Sequence, residues 1–103
     1  MNIYRTNYCG LVDESLDQKE IKLAGWIENI RDHGGVIFLD LRDEKGTVQL
    51  VSNDDSIFNG LTKESTISVT GVVRMRNEED YNNRIKTGKV EVLVDKIEVL
   101  GKS

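Results

Sequence analysis

The sequence has 103 residues, 38% hydrophobic and 31% charged, which indicates one soluble globular domain over residues 1–103. No apolar run approaches the roughly 20 residues of a membrane helix, so no membrane partner is expected. One cysteine excludes an internal disulfide and is typical of the reducing cytoplasm, where we expect the protein. The net charge of −4 argues against a protein that grips nucleic acid by bulk electrostatic attraction.

The first half of the chain predicts a β-hairpin. Residues 1–18 are mixed and predict a short turn or helix packed on the body. From Glu20 to Ile30 apolar side chains alternate as in a strand, and Gly25 within this run indicates a bulge or bend. A turn follows at residues 32–35, where paired Gly34 and Gly35 tolerate the positive φ of a tight reversal.

The second strand, residues 36–43, alternates strictly. Ile37, Leu39 and Leu41 share one face, which we predict to be core. Phe38 then lies on the opposite face beside Asp40. An aromatic ring on the wet face of a small sheet is a possible stacking platform for a nucleic-acid base. The alternative is that Phe38 packs beneath a helix or a terminal segment.

The second half of the chain predicts three further strands, at residues 47–52, 66–76 and 90–100, the last with a phase change near residues 95–96. A short helix, roughly Ser56 to Lys63, is expected after a polar cluster of helix N-caps at residues 53–56. Residues 77–88 form a long polar loop, and such loops in compact domains are usually functional. This order predicts an all-β fold, a five-stranded OB-fold Greek-key barrel with a short helix between strands 3 and 4. Another small barrel remains the alternative.

Catalysis and metal binding are not expected of this chain. One cysteine and one histidine supply too few soft ligands for a metal site. We interpret His33 as a solvated turn residue and Cys9 as a small buried hydrophobe. The sequence contains no phosphate-cradling glycine loop and no nucleophile elbow. We therefore predict no catalytic residues and no metal ligands.

A binding face is predicted where three strands place distinctive side chains opposite their aliphatic rows. Phe38 offers a ring for stacking, Gln49 carries a donor and an acceptor, and Glu91 favours a base edge rich in N–H donors, such as guanine. Basic residues outnumber acidic ones by five to three between residues 74 and 89. The side chains suited to phosphates are Arg31, Arg74 and Arg76. The pattern alone leaves open a free-standing protein-interaction or assembly module that uses the Trp26 face or the helix.

Five motifs in this order and spacing carry a family resemblance: Tyr4–Gly10, Gly25–Asp43, Gly46–Gln49, Val69–Arg74 and Thr87–Val92. The chain resembles the N-terminal anticodon-binding domain of bacterial-type aspartyl-tRNA synthetases over essentially its whole length. The resemblance implies that Phe38 stacks on the central anticodon uridine and that Gln49 contacts the anticodon bases. It implies that Glu91 reads the first base, guanine or its queuine derivative. The other family positions near the anticodon are Arg31, Arg74, Arg76 and Asn82.

The resemblance also implies a longer enzyme. Family members continue into a class II catalytic domain that uses ATP, Mg²⁺ and aspartate, and they form homodimers. This chain ends near residues 100–103, about where the hinge is expected, so we expect a fragment of an aspartate-tRNA ligase. It should bind the tRNA(Asp) anticodon loop as a monomer, hold no cofactor and catalyse nothing. Two departures are the non-basic residues 28–30 and the acids at residues 78–80, and the first predicts weaker, less salt-dependent binding.

Overall fold

Five β-strands and four short 3-10 helices form the described part of the chain, which in this computed structural model is residues 3–101. The strands are β1 (Glu20–His33), β2 (Val36–Asp43), β3 (Gly46–Ser52), β4 (Thr66–Met75) and β5 (Val90–Gly101). The 3-10 helices are Cys9–Leu11, Glu14–Leu16, Asp55–Phe58 and Glu78–Asp80. Residues 102–103, at the expected hinge, lie outside the described residues.

The strands close into a barrel in the order β1-β2-β3-β5-β4, with β4 pairing back onto β1. All the pairs are antiparallel except β3 with β5, which is parallel and joins Leu50 to Val92 and Val51 to Leu93. This is the topology of the OB-fold, and it confirms the five-stranded barrel predicted from the sequence. A register shift after Thr70 on β4 falls opposite residues 94–96 of β5, where the sequence predicted a change of phase.

The core is the inward row of each strand, as the alternation predicted. Each of these side chains is at most 5% exposed: Ile21, Leu23, Ile27, Ile37, Leu39, Leu41, Val48, Leu50, Ile67, Val69, Val73, Val90 and Val92. Fully burying an aliphatic side chain of this size contributes about 1.5–3 kcal/mol. The barrel wall is therefore rigid enough to hold the outward side chains between these rows in fixed relative positions.

The predicted helix over Ser56–Lys63 is wrong in length, because the structure has only the 3-10 turn Asp55–Phe58. The start is as predicted: the carboxylate of Asp54 caps the turn by accepting from the backbone N–H of Ser56 at 3.0 Å. The chain then leaves the helix through an extended residue and Gly60, whose φ is 78°. Leu61 nevertheless packs into the core beside Phe58, on the side that the sequence predicted for it.

The structure has no bulge at Gly25, where the sequence predicted a bulge or bend. The register of β1 against β2 shifts between Ile27 and Asn29, so Glu28 is the extra residue. Gly25 has a different purpose: a Cβ built there would lie 2.2 Å from the carbonyl oxygen of Arg42. The glycine permits close backbone approach between β1 and β2.

The N-terminal segment closes one side of the barrel with two 3-10 turns, in agreement with the predicted short turn or helix. Cys9 is fully buried, as expected, and its backbone N–H donates to Asp43 Oδ2 at 2.6 Å. His33 is exposed at the hairpin turn, again as expected. Within residues 3–101, no helix has the length and apolar character needed to cross a membrane.

Candidate nucleic-acid interface

The outer face of the barrel carries the predicted binding residues in adjoining positions. Strand register sets Arg31 opposite Phe38 on β1 and β2, and Asp40 opposite Gln49 on β2 and β3. On the other side of the parallel junction, Arg74 of β4 pairs with Glu91 of β5. Because these residues all alternate with core positions, their side chains leave the same curved surface.

Five of these side chains form one hydrogen-bonded chain, here called the five-residue network: Asp40, Arg31, Gln49, Glu91 and Arg74. Gln49 donates from Nε2 to Glu91 Oε1 at 3.1 Å and accepts at Oε1 from Arg31 Nη2 at 3.3 Å. At its two ends, Arg31 Nη1 lies 3.0 Å from Asp40 Oδ2, and Arg74 Nε lies 2.7 Å from Glu91 Oε2. This contact confirms that Gln49 and Glu91 lie on one face of the barrel, although Gln49 is buried there, with only 9% of the residue exposed.

Burial differs between the acids and the arginines of this network. The side chains of Asp40 and Glu91 are only 18% and 14% exposed, whereas those of Arg31 and Arg74 are 42% and 41% exposed. The carboxylates therefore lie at the floor of the face, with the guanidinium groups nearer to solvent. Two cations balance two anions, so the network adds no net charge.

Phe38 lies on the outer face and outside the core cluster, as predicted. It is half-buried between two cross-strand neighbours, Arg31 on β1 and Val51 on β3. The ring of His33 meets it edge to face, with centroids 5.5 Å apart and planes at 83°. An edge-to-face contact of this kind restrains an aromatic ring without removing it from the surface.

Arg76 lies just beyond the end of β4 and reaches into the loop that follows. Its Nε donates to the carbonyl of Val90 at 3.0 Å and its Nη1 to the carbonyl of Asp80 at 3.3 Å. Among residues 3–101, its Nη2 finds no hydrogen-bond partner although it is buried. Burial lowers the pKa of this guanidinium, while the nearby charges of Glu91 and Asp40 act in the opposite direction. Arg76 therefore has a spare donor close to the five-residue network.

Asn82 shapes the loop between β4 and β5. Its Oδ1 accepts from the backbone N–H of Arg84, and its own N–H donates to the carbonyl of Gly88, both at 3.0 Å. Thr87 anchors the same loop to the barrel by donating to the carbonyl of Thr47 at 2.6 Å. These bonds give Asn82 a role within the loop, and its contact with a base stays a prediction.

A cavity of about 200 Å³ opens between the β2–β3 turn and the loop. Its ionisable lining residues are all cationic: Arg42, Lys45 and Lys86. Arg42 and Thr47 form the cross-strand pair that follows Asp40 and Gln49 along the sheet. This end of the face therefore carries cationic side chains beside the neutral network, although Arg42 is itself paired with Glu28 at 3.2 Å.

Asp40 is the residue of this site that the sequence reasoning missed. The sequence placed it beside Phe38 on the outer face but assigned it no role. The available signal was its spacing of two from Phe38, which puts both on one side of the strand.

Within residues 3–101, no group of three or more His, Cys, Asp or Glu side chains is placed so that it could hold a metal ion.

A closed five-stranded barrel with a ring, an amide and paired charges on its outer face is the architecture of an OB-fold nucleic-acid-binding domain. A family model described as an OB-fold nucleic acid binding domain, of the tRNA anticodon type, matches residues 21–100. The chain belongs to this family.

Its relatives are aminoacyl-tRNA ligases. The chain is 45% identical over 102 residues to an aspartate-tRNA(Asp/Asn) ligase of Prochlorococcus marinus, covering 93% of this chain and 17% of that protein. It is 50% identical over 105 residues to an aspartate-tRNA ligase of Macrococcus caseolyticus, covering 96% of this chain and 18% of that protein. A solved asparaginyl-tRNA synthetase of Pyrococcus horikoshii, complexed with asparaginyl-adenylate, superposes with a TM-score of 0.75 and 32% identity, over 94% of this chain and 22% of that one.

These findings confirm the resemblance to the anticodon-binding domain of aspartyl-tRNA synthetases. The chain spans less than a fifth of the length of the two ligases.

Proposed function

We propose that this chain recognises the anticodon loop of tRNA(Asp), as the anticodon-binding part of a longer, homodimeric aspartate-tRNA ligase. The observation that carries this proposal is the contact of Gln49, Glu91 and Arg74 on one outer face. Catalysis with ATP and Mg²⁺ would belong to the rest of the ligase, and the chain itself would bind RNA as a monomer. We expect it to act in the cytoplasm, as its cysteine content favours.

Glu91 is suited to read a guanine at the first anticodon position. An ionised carboxylate offers about four acceptor positions and no donor. Gln49 and Arg74 occupy one position on each oxygen, which leaves one further acceptor position on each. Guanine presents N1–H and N2–H₂ as adjacent donors, whereas adenine has no N1–H and no 2-amino group. A fixed acceptor pair therefore prefers guanine.

Phe38 and Arg76 are assigned the parts that do not depend on base identity. Phe38 would stack on the central uridine, and stacking on an aromatic ring tolerates any base because each has a π-face. Arg76 would lie beside the RNA backbone as a fixed positive charge, because its Nη2 is buried and its Nε and Nη1 donate within the chain. Arg31 and Arg74 would contact the RNA while still paired with their acids, and Asn82 would touch a base from the loop.

The test compares two RNA stem-loops by fluorescence anisotropy, one with the aspartate anticodon and one with adenine in place of its first guanine. Wild type should prefer the guanine loop by about tenfold, the value of one charge-assisted hydrogen bond. Glu91→Gln keeps the shape but removes the anion, and should abolish most of that preference. Phe38→Ala should weaken the binding of both loops by a similar free energy, about 1–3 kcal/mol. An equal loss on both loops for Glu91→Gln would contradict the assigned role of Glu91.

Gel filtration with and without the stem-loop tests the other interpretation. A monomer that shifts to a one-to-one complex with the guanine loop supports RNA recognition. A dimer whose elution ignores RNA would instead favour the protein-interaction module considered from the sequence.

A further inference from the structure

Asp40 lies at the centre of the outer face, where RNA would approach. On β2 it sits between Asn29 of β1 and Gln49 of β3, and its carboxylate is 3.0 Å from Arg31. Only 18% of its side chain is exposed, and Arg31 is its ion-pair partner.

A carboxylate at this position is unfavourable for affinity alone. RNA carries a phosphate at every nucleotide, and an acid beneath the binding surface repels it and removes one cation from phosphate contact. Strand pairing does not require it either, because the backbone bonds of β2 form whatever the outward side chain is. The presence of Asp40 therefore needs a reason other than affinity or the backbone of the sheet.

The hydrogen bonds of Asp40 give such a reason, because each one fixes the orientation of the next side chain toward Glu91. Asp40 holds one nitrogen of Arg31, and this sets the direction in which the other nitrogen donates to Gln49. An amide whose oxygen is held by Arg31 must present its nitrogen to Glu91. Arg74 holds the second oxygen of the same carboxylate at 2.7 Å. The orientation of Glu91 is thus determined from both sides, and Asp40 is the outer anchor of one side.

We propose that Asp40 is a positioning residue that gives base selectivity at the expense of affinity. The inference rests on the proposed recognition of the anticodon by Glu91. By fixing Arg31 and, through it, the amide of Gln49, Asp40 keeps the Glu91 carboxylate in the one orientation that fits guanine. It also keeps Arg31 from binding phosphates indiscriminately.

The test is Asp40→Asn in the full 103-residue chain, measured with the same guanine and adenine stem-loops. The freed Arg31 should strengthen binding of the adenine loop, and the released Gln49 should lower the guanine preference about threefold or more. The slope of log affinity against log salt should become steeper by about 0.7, the value for one additional phosphate contact on a single strand. A role confined to stability predicts the opposite, weaker binding of both loops.

Two variants serve as controls. Asp95→Asn makes the same charge change at an exposed position of β5 and should leave the preference unchanged. Asp40→Glu keeps the anion and should retain more of the guanine preference than Asp40→Asn. Thermal unfolding of each variant shows whether the barrel is intact.

The inference is overturned if Asp40→Asn keeps the wild-type preference, or if both affinities fall together with its melting temperature. A wild-type chain that binds neither loop would remove the proposed function and this inference with it. Wild-type discrimination that survives Asp40→Asn would remove only the inference.

Discussion

At the scale of single residues, Cys9 shows how burial decides the chemistry of a side chain. The thiol is fully buried, and its Sγ lies 3.8 Å from the carbonyl oxygen of Ala24. Burial strongly raises the pKa of Cys9, and the neighbouring carboxylate of Asp43 raises it further. The residue is therefore a neutral packing group over the whole physiological range, as the sequence suggested.

This raised pKa predicts a loss of stability at alkaline pH. The thiol ionises near pH 8.5 in the unfolded chain but stays protonated in the fold, so its contribution is complete below about pH 8.5 and is lost above it. Above that pH, the free energy of unfolding should fall with pH more steeply in wild type than in Cys9→Ala. The difference between the two slopes should be up to about 1.4 kcal/mol per pH unit. Urea unfolding from pH 7 to pH 10 measures both slopes. Parallel slopes would show that Cys9 does not cause the loss.

The sequence predicts which face of a strand each side chain of the site lies on, because that depends only on alternation along the strand. Strict alternation placed Phe38, Gln49 and Glu91 on the outer face, and the contact of Gln49 with Glu91 agrees. The sequence did not predict that Asp40 would hold Arg31. That pairing depends on which residues face each other across β1, β2 and β3, and a bulge at Glu28 sets this register.

At the scale of elements, the strands were more predictable than the connections. Alternating aliphatic residues define a strand whatever surrounds it, whereas the helix after β3 is shorter than predicted because the chain turns away at Asn59 and Gly60. Gly60 adopts a φ of 78°, and the Asn59-Gly60 pair is a turn signal that the predicted helix to Lys63 left out of account. A glycine was also misread in β1, where Gly25 permits close approach of two strands and the bulge lies at Glu28.

The loop between β4 and β5 gives a prediction at this scale. A Cβ at Gly88 would lie 1.7 Å from the carbonyl oxygen of Asn82, so Gly88→Ala must open the loop. It should destabilise the fold by about 1–3 kcal/mol and weaken binding of both stem-loops. Gly60→Ala is the control: open space surrounds it, and its positive φ costs about 1–2 kcal/mol with no effect on binding. Thermal unfolding and anisotropy separate the two effects, and unchanged RNA affinity in Gly88→Ala would show that the loop conformation does not matter for recognition.

At the scale of the whole molecule, charge limits how the chain can hold RNA. The net charge is −4, and the two arginines of the five-residue network are already paired with acids. Association should therefore depend on salt only moderately.

We expect the slope of log affinity against log salt to be about −2 or shallower, because Arg31 and Arg74 are held by acids and only a few phosphate contacts, at about 0.7 each on a single strand, are available. Titrations with the guanine stem-loop between low and physiological salt measure it. A slope of about −5 would mean that many more phosphates are contacted and that base reading contributes little.

The parallel seam between β3 and β5 has a consequence for how the chain matures. Gln49 and Glu91 stand 42 positions apart and meet only across that seam, which is two residue pairs long. During synthesis on the ribosome, the first three strands emerge first. They carry the part of the outer face that holds Gln49, but Glu91, its partner on β5, is not yet present. The base reading that we propose for Glu91 therefore becomes possible only after β5 has left the exit tunnel and paired with β3.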